Sequence, residues 1–319
     1  MCESGCTMPI IGILSQETIS LESRNLPKGL YRSYIAASYV KFVESAGARV
    51  VPIWIGRDRE YYRQVVKKTN GILFPGGATW FHEEKGYGEA GGFIYEMAVE
   101  ENKAGKHFPL LGICLGMELM LYLEAKRDQQ LQSDCDSFRV SLPLHFVEGY
   151  QKSKLFSNAS DDIIDILSTK DVTLNSHRFC ITPEKFTEYS LHESFQCLST
   201  NTDLNGLVFI SSYESIKYPF YGLQFHPEKN AFEFVASQAG YVNHSKEAVA
   251  VTQYFANFFV DQARENKNSF SSVDEEDRNL IYNYNPLFYS LLGGNMQQIY
   301  VFNEEENRKE INIEKEENI

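Results

Sequence analysis

Four short apolar runs alternate with amphipathic stretches between Pro9 and Gly116, and this alternation limits the fold more than any other feature of the chain. Pro9 to Leu14, Arg49 to Ile55, Gly71 to Phe74 and Leu110 to Ile113 read as buried strands, because apolar, β-branched runs of this length keep no polar face for water. Ser33 to Ala46 places Ile35, Tyr39, Phe42, Val43 and Ala46 on one helical face, and Gly47 stops it. Asp58 N-caps a second helix to Lys68, and Phe93 to Asn102 reads as a third. Such an order predicts an α/β fold, a mostly parallel central sheet with helices on both faces. From Phe138 onward the runs shorten to Arg139–Phe146, Gln196–Thr200, Leu207–Ser211 and Tyr221–Phe225, which predict extra, partly antiparallel strands. Helical patterns return at Ala248 to Glu265 and Glu276 to Tyr284. With no repeat or linker inside 9–302, the expectation is a flexible N-terminus over 1–8, one catalytic domain over 9–302 and a charged, disordered tail over 303–319.

Composition excludes several function classes. A hydrophobic share of 43% over 319 residues builds a sizeable core. A net charge of −13 without a Lys/Arg block excludes a nucleic-acid partner, since neutralising phosphates needs a basic face. No stretch is long and apolar enough for a bilayer, so no membrane partner is expected. Met1 to Cys6 has neither the basic nor the apolar part of a signal peptide, which leaves a cytosolic location open. Cys2 and Cys6 lack a second Cys/His pair at suitable spacing, so neither a metal nor another cofactor is expected. Cys135, Cys180 and Cys197 can pair in an oxidising compartment, with the pairing open. Asn158-Ala159-Ser160 and Asn243-His244-Ser245 are glycosylation sequons if the chain enters the secretory pathway.

Chemistry concentrates at Gly112-Ile113-Cys114-Leu115-Gly116. A cysteine between two glycines, after a strand and before a helix, sits on a sharp turn that lifts its side chain towards the unpartnered N–H groups of the helix, where a thiolate is favoured. Gln224-Phe225-His226-Pro227-Glu228 offers a base and a carboxylate. Pro227 keeps His226 extended, so Glu228, two residues on, is expected on the same side to fix the imidazole tautomer. The turn Pro75-Gly76-Gly77 exposes the Gly77 N–H, which with that of Leu115 gives an oxyanion hole worth about 3 kcal/mol per donor. On local pattern alone Tyr39 is a core residue, Glu118 a solvated first-turn carboxylate and His177 a loop histidine.

These motifs, preceded by Phe74-Pro75-Gly76-Gly77, resemble the class I glutamine amidotransferase superfamily. Within it the chain resembles the γ-glutamyl hydrolase family, through Pro9–Leu14, Tyr34–Lys41, Glu44–Pro52, Asn70–Gly77, Thr200-Asn201-Thr202, Tyr218-Pro219 and Leu280-Ile281-Tyr282. The resemblance implies hydrolysis of γ-glutamyl isopeptide bonds in folyl poly-γ-glutamates, with Cys114 as nucleophile forming a thioester, His226 as base and acid, and Glu228 as its orienter. It places Tyr39, Glu118 and His177 in or near the substrate cleft. It also implies a homodimer and a lysosomal, vacuolar or extracellular location. A glutaminase subunit feeding ammonia to a synthetase and a non-catalytic folate binder are the alternatives. Arg32, Arg178 and Lys229 are candidates for the substrate carboxylates by proximity to the motifs, and Phe81–Glu89 is a Gly-rich insert beside the Gly76–Gly77 turn.

Overall fold

The computed structural model describes residues 8–23, 25–236 and 240–303; Cys2, Cys6 and the tail from 304 onward lie outside them. Ile10–Leu14 is buried along its whole length and pairs in parallel with Arg49–Ile53 on one side and Gly71–Phe74 on the other. Leu110–Ile113 and then Phe220–Leu223 extend the parallel run. Val208–Ser215, Phe195–Thr202 and His145–Phe146 follow as antiparallel neighbours, closing an eight-stranded sheet among the described residues. The fold is therefore the predicted α/β type, parallel in its centre and antiparallel towards one edge.

Each face of the sheet carries its own apolar layer. Ala37–Glu44 and Lys246–Arg264 cover one face with Phe42, Val43, Phe255 and Phe259, all essentially inaccessible to water. Tyr87–Lys103 and Leu115–Glu124 cover the other with Ile94, Met97, Met117 and Leu121. Side chains of this kind contribute roughly 1.5–3 kcal/mol each on burial. Among the described residues no helix is long and apolar enough to cross a membrane, and no cluster of His, Cys, Asp and Glu suits a metal.

Several predicted elements shift. Ser33 to Ala46 is not one helix: Ser33–Ala36 is a strand between Gln16–Glu17 and Ile299–Phe302, and the helix begins at Ala37. Tyr34, Ile35 and Ala36 are all buried, so apolar periodicity cannot tell strand from helix there, and the deciding partner lies at the far end of the chain. The third helix starts at Tyr87, inside the predicted insert, because the Tyr87 hydroxyl donates to the Pro75 carbonyl at 2.8 Å and its N–H to Glu17 at 2.7 Å. Arg139 to Phe146 divides: Ser133–Leu142 forms a separate hairpin with Thr173–Cys180, and His145–Phe146 joins the main sheet. The helix near Glu276 instead spans Val273–Asn279, N-capped by Ser272, and ends before the short 3-10 turn Ile281–Asn283. Cys135 and Cys180 form a disulfide, while Cys114 and Cys197 are free thiols.

Candidate active site

A single residue joins the strand Leu110–Ile113 to the helix Leu115–Glu124, and that residue is Cys114 at φ 51° and ψ −111°. A side chain in this backbone region costs about 1–3 kcal/mol and persists only where the surroundings enforce it. The flanking glycines supply the room. A Cβ on Gly116 would stand 2.0 Å from the Phe74 carbonyl oxygen, and one on Gly112 would stand 2.5 Å from the Gly116 carbonyl. Only glycine at both positions lets helix and strands close around the turn.

Gly76 marks where three elements converge. A Cβ there would lie 2.6 Å from His226 Cε1, 2.8 Å from Tyr39 Oη and 3.0 Å from Cys114 Cβ. The strand Phe220–Leu223 delivers His226, whose N–H donates to the Leu174 carbonyl at 2.8 Å. His226 Nδ1 lies 2.9 Å from Glu228 Oε1, so Nδ1 carries the proton and Nε2 is left with its lone pair. The expected route to this contact was an extended segment. Glu228 instead has helical dihedrals, φ −69° and ψ −23°, and reaches back around Pro227. Tyr39 Oη accepts the Gly76 N–H at 2.9 Å and sits 3.3 Å from His226 Nδ1.

Burial dominates the electrostatics. It pushes the Cys114 thiol well above its ordinary range, helped by the Glu118 charge and opposed by Lys229 and the Leu115 N–H. It also lowers His226, against the raising effect of Glu228. The thiolate expected at this helix N-terminus is thus not the resting form; the free site holds a neutral thiol and a neutral imidazole, because desolvation outweighs the helix dipole.

Glu118 departs furthest from its predicted setting. It is in the first turn of its helix but only 3% exposed, accepting from Gln224 Nε2 at 2.8 Å and from Gln132 Nε2, and burial raises its pKa to about 7. His177 lies on the strand Thr173–Cys180 and not in a loop, with Nδ1 donating to the Phe179 carbonyl at 2.9 Å and burial lowering its pKa to about 4. Gly77 and Leu115 line a cavity of about 370 Å³ together with Cys114, Glu118, His177 and Arg178. Tyr39, His226 and Lys229 line a smaller, adjoining one, about 140 Å³, which shares Gly77 and Cys114 with the first. Arg32 reaches neither cavity and packs against Gly56.

Sequence reasoning missed Gln16 and Gln224. Gln16 is buried and donates Nε2 to the carbonyls of Pro75 and Gly76 at 3.1 and 2.8 Å, holding the glycine turn in place. Gln224 opens the segment that carries His226, yet its link to Glu118 crosses 106 residues and no local pattern shows it.

The family model described as Peptidase C26 matches residues 9–228, most of the chain and both motifs. The chain belongs to the Peptidase C26 family. Curated relatives agree: gamma-glutamyl hydrolase B of Dictyostelium discoideum is 40% identical over 92% of this chain and 83% of its own. Gamma-glutamyl hydrolase of Mus musculus is 38% identical over 93% of this chain and 90% of its own, and that of Homo sapiens 37% over 92% and 89%. These Peptidase C26 relatives match over a span that includes the elbow at Cys114 and the turn at His226, so the geometry above belongs to the shared part of the chain.

Proposed function

We propose that this Peptidase C26 member hydrolyses the γ-glutamyl isopeptide bonds of folyl poly-γ-glutamates, with Cys114 as nucleophile. The observation that carries the reading is the convergence of Cys114, His226 and Tyr39 on one point beside Gly76, with Glu228 behind the imidazole. His226 Nε2 takes the thiol proton as Sγ attacks the γ-carbonyl carbon, so the charged pair forms only as the new bond forms. The Gly77 and Leu115 N–H groups receive the developing oxyanion. Collapse breaks the C–N bond, His226 hands its proton to the leaving amine, and a γ-glutamyl thioester remains on Cys114. Water, deprotonated by His226, then releases the γ-carboxylate and restores the thiol. Glu228 orients the imidazole, while Tyr39, Glu118 and His177 shape the cleft.

Residues 9–302 act in this reading as one catalytic unit. Support comes from the sheet strand Ile10–Leu14 at one end of that span and Ile299–Phe302, paired with Ser33–Ala36, at the other. The Cys135–Cys180 disulfide supports folding in an oxidising compartment, in keeping with lysosomal, vacuolar or extracellular placement. The family likeness extends the proposal to a homodimer, which sedimentation at micromolar concentration tests. A defined pteroyl poly-γ-glutamate followed by mass spectrometry tests the activity: shortened chains with free glutamate or oligoglutamate are expected. Release of ammonia from glutamine with the polyglutamate intact would overturn it.

A further inference from the structure

Parallel pairing of Leu110–Ile113 with Phe220–Leu223 ends with Ile113 opposite Leu223, so the next residues of the two strands, Cys114 and Gln224, leave the sheet side by side. The main chain holds them there. The Cys114 N–H donates to the Leu223 carbonyl at 2.7 Å, and the Gln224 N–H to the Ser211 carbonyl at 2.9 Å. Gln224 is fully buried, and its side-chain Nε2 reaches two acceptors, Glu118 Oε1 at 2.8 Å and Cys114 Sγ at 3.9 Å. A primary amide has two N–H bonds, one for each.

This orientation of the amide carries a penalty. Gln224 Oε1 is buried without a hydrogen-bond partner, whereas buried carbonyl oxygens are ordinarily paired. Turning the amide over brings no relief, because with Glu118 ionised the amide oxygen would then face a carboxylate oxygen. Gln132 Nε2 already donates to Glu118 Oε2, so the carboxylate keeps a donor even without Gln224. What Gln224 adds is its reach to the sulfur.

A thiol donates one proton and accepts at sulfur. With Gln224 donating to Sγ, the S–H is left for the base, His226. As that proton leaves, charge grows on Sγ and the hydrogen bond to it becomes charge-assisted. The Glu118 charge opposes an anionic sulfur, and the amide stands between the two with a donor for each. Sulfur leaves as an anion again when water breaks the thioester, and it meets the same donor. We propose that Gln224 is a positioning residue for the nucleophile: its carboxamide donates to Cys114 Sγ, leaves the thiol proton to His226 and steadies the sulfur anion each time it forms. The assignment rests on the Cys114 mechanism above.

The test reads the sulfur directly and needs no substrate. Iodoacetamide is applied at pH 8, above the value of about 7 to which burial raises Glu118, so that this carboxylate is ionised. Label on Cys114 and on Cys197 is followed separately by peptide mass spectrometry in the wild type, Gln224→Met and Gln224→Glu. Both variants lack the N–H. Cys114 should be alkylated about tenfold to a hundredfold more slowly in either, the range for losing one hydrogen bond to a charged group. Cys197, a half-buried free thiol on Phe195–Thr202, should react at the wild-type rate, which reports an intact fold. On a polyglutamate, kcat falls by a similar factor with KM little changed. A merely structural role would loosen the cleft and speed the alkylation, so an unchanged or faster rate at Cys114 would overturn the assignment. Gln224→Glu, nearly identical in size, carries the comparison if Met is not accommodated. Adding Gln224→Met to Glu118→Gln, which keeps an acceptor but not the charge, separates the two contacts. Slowing that persists there supports action on the sulfur, and slowing that vanishes shows that Gln224 acts only through Glu118 and refutes the proposal. A wild type that leaves polyglutamate intact would overturn the hydrolase reading, while the alkylation rates would still decide the place of Gln224.

Discussion

His226 Nδ1 and Glu228 Oε1 lie 2.9 Å apart with the carboxylate fully buried, and this contact holds the imidazole proton on Nδ1 and leaves Nε2 with its lone pair. Glu228 Oε2 has no hydrogen-bond partner, so nothing else in the described structure competes for the carboxylate. A buried charge in that position is retained at a cost of several kcal/mol, which makes sense only if the imidazolium needs it.

Glu228→Gln keeps the shape but lets the amide N–H face Nδ1, favouring the tautomer with its proton on Nε2. We expect kcat to fall by roughly 10²–10⁴-fold with KM little changed, measured by steady-state release of glutamate. The acid limb of the pH profile moves too. His226 must be neutral to accept the thiol proton, burial already places its pKa below 6.5, and Glu228 raises it. Wild-type kcat/KM therefore holds into mildly acidic solution, and the variant's acid limb lies at still lower pH. A limb that moved upward would contradict Glu228 as the counterion.

Cys114→Ala removes the only nucleophile the mechanism uses. Turnover should fall by at least about 10⁴-fold while a polyglutamate still binds, as read by calorimetry. Substantial remaining turnover, or a thioester trapped on another residue by mass spectrometry, would refute the proposed chemistry.

Glu118 gives a stability prediction with a definite sign. Its pKa is raised from 4.5 to about 7 by burial, partly offset by the hydrogen bonds from Gln224 and Gln132. The folded protein holds a proton that the unfolded chain releases between those values. This carboxyl's contribution is thus fully present below about pH 4.5 and is lost as pH rises through about 7, an effect of about 3 kcal/mol. Glu118→Gln lacks the titration, so its melting temperature relative to wild type should climb between pH 4.5 and 7. A constant difference across that range would show that Glu118 does not titrate there.

Local chemistry in the chain foretold the elbow at Cys114, because the glycines that make room for it are its own neighbours. The His226–Glu228 contact was likewise legible, although the turn at Pro227 and not an extended strand produces it. What stayed hidden depends on distant partners. The strand Ser33–Ala36 needs Ile299–Phe302, and Glu118 is buried because Gln132 and Gln224 come over it. The predicted thiolate failed for the same reason: a helix N-terminus is visible in sequence, while the desolvation that outweighs it is a property of the assembled cleft.

The Cys135–Cys180 disulfide clamps the hairpin that walls the cleft. Cys135 lies on Ser133–Leu142 and Cys180 ends Thr173–Cys180, the two strands that also carry Phe138, Ser176, His177, Arg178 and Phe179 to the cavities. The bond spans 45 residues of sequence, and closing a loop of that size in the unfolded chain stabilises the fold by about 2–4 kcal/mol. Reduction with a phosphine should lower stability by that amount in urea denaturation, and it should raise KM more than it lowers kcat, because the wall loosens while Cys114, His226 and Glu228 stand on the main sheet and its adjoining turns. The same reductant keeps Cys114 as a thiol, so lost activity cannot come from the nucleophile. Complete reduction, confirmed by alkylation of both cysteines, with no change in either the urea midpoint or KM would show that the hairpin is held by its strand pairing alone.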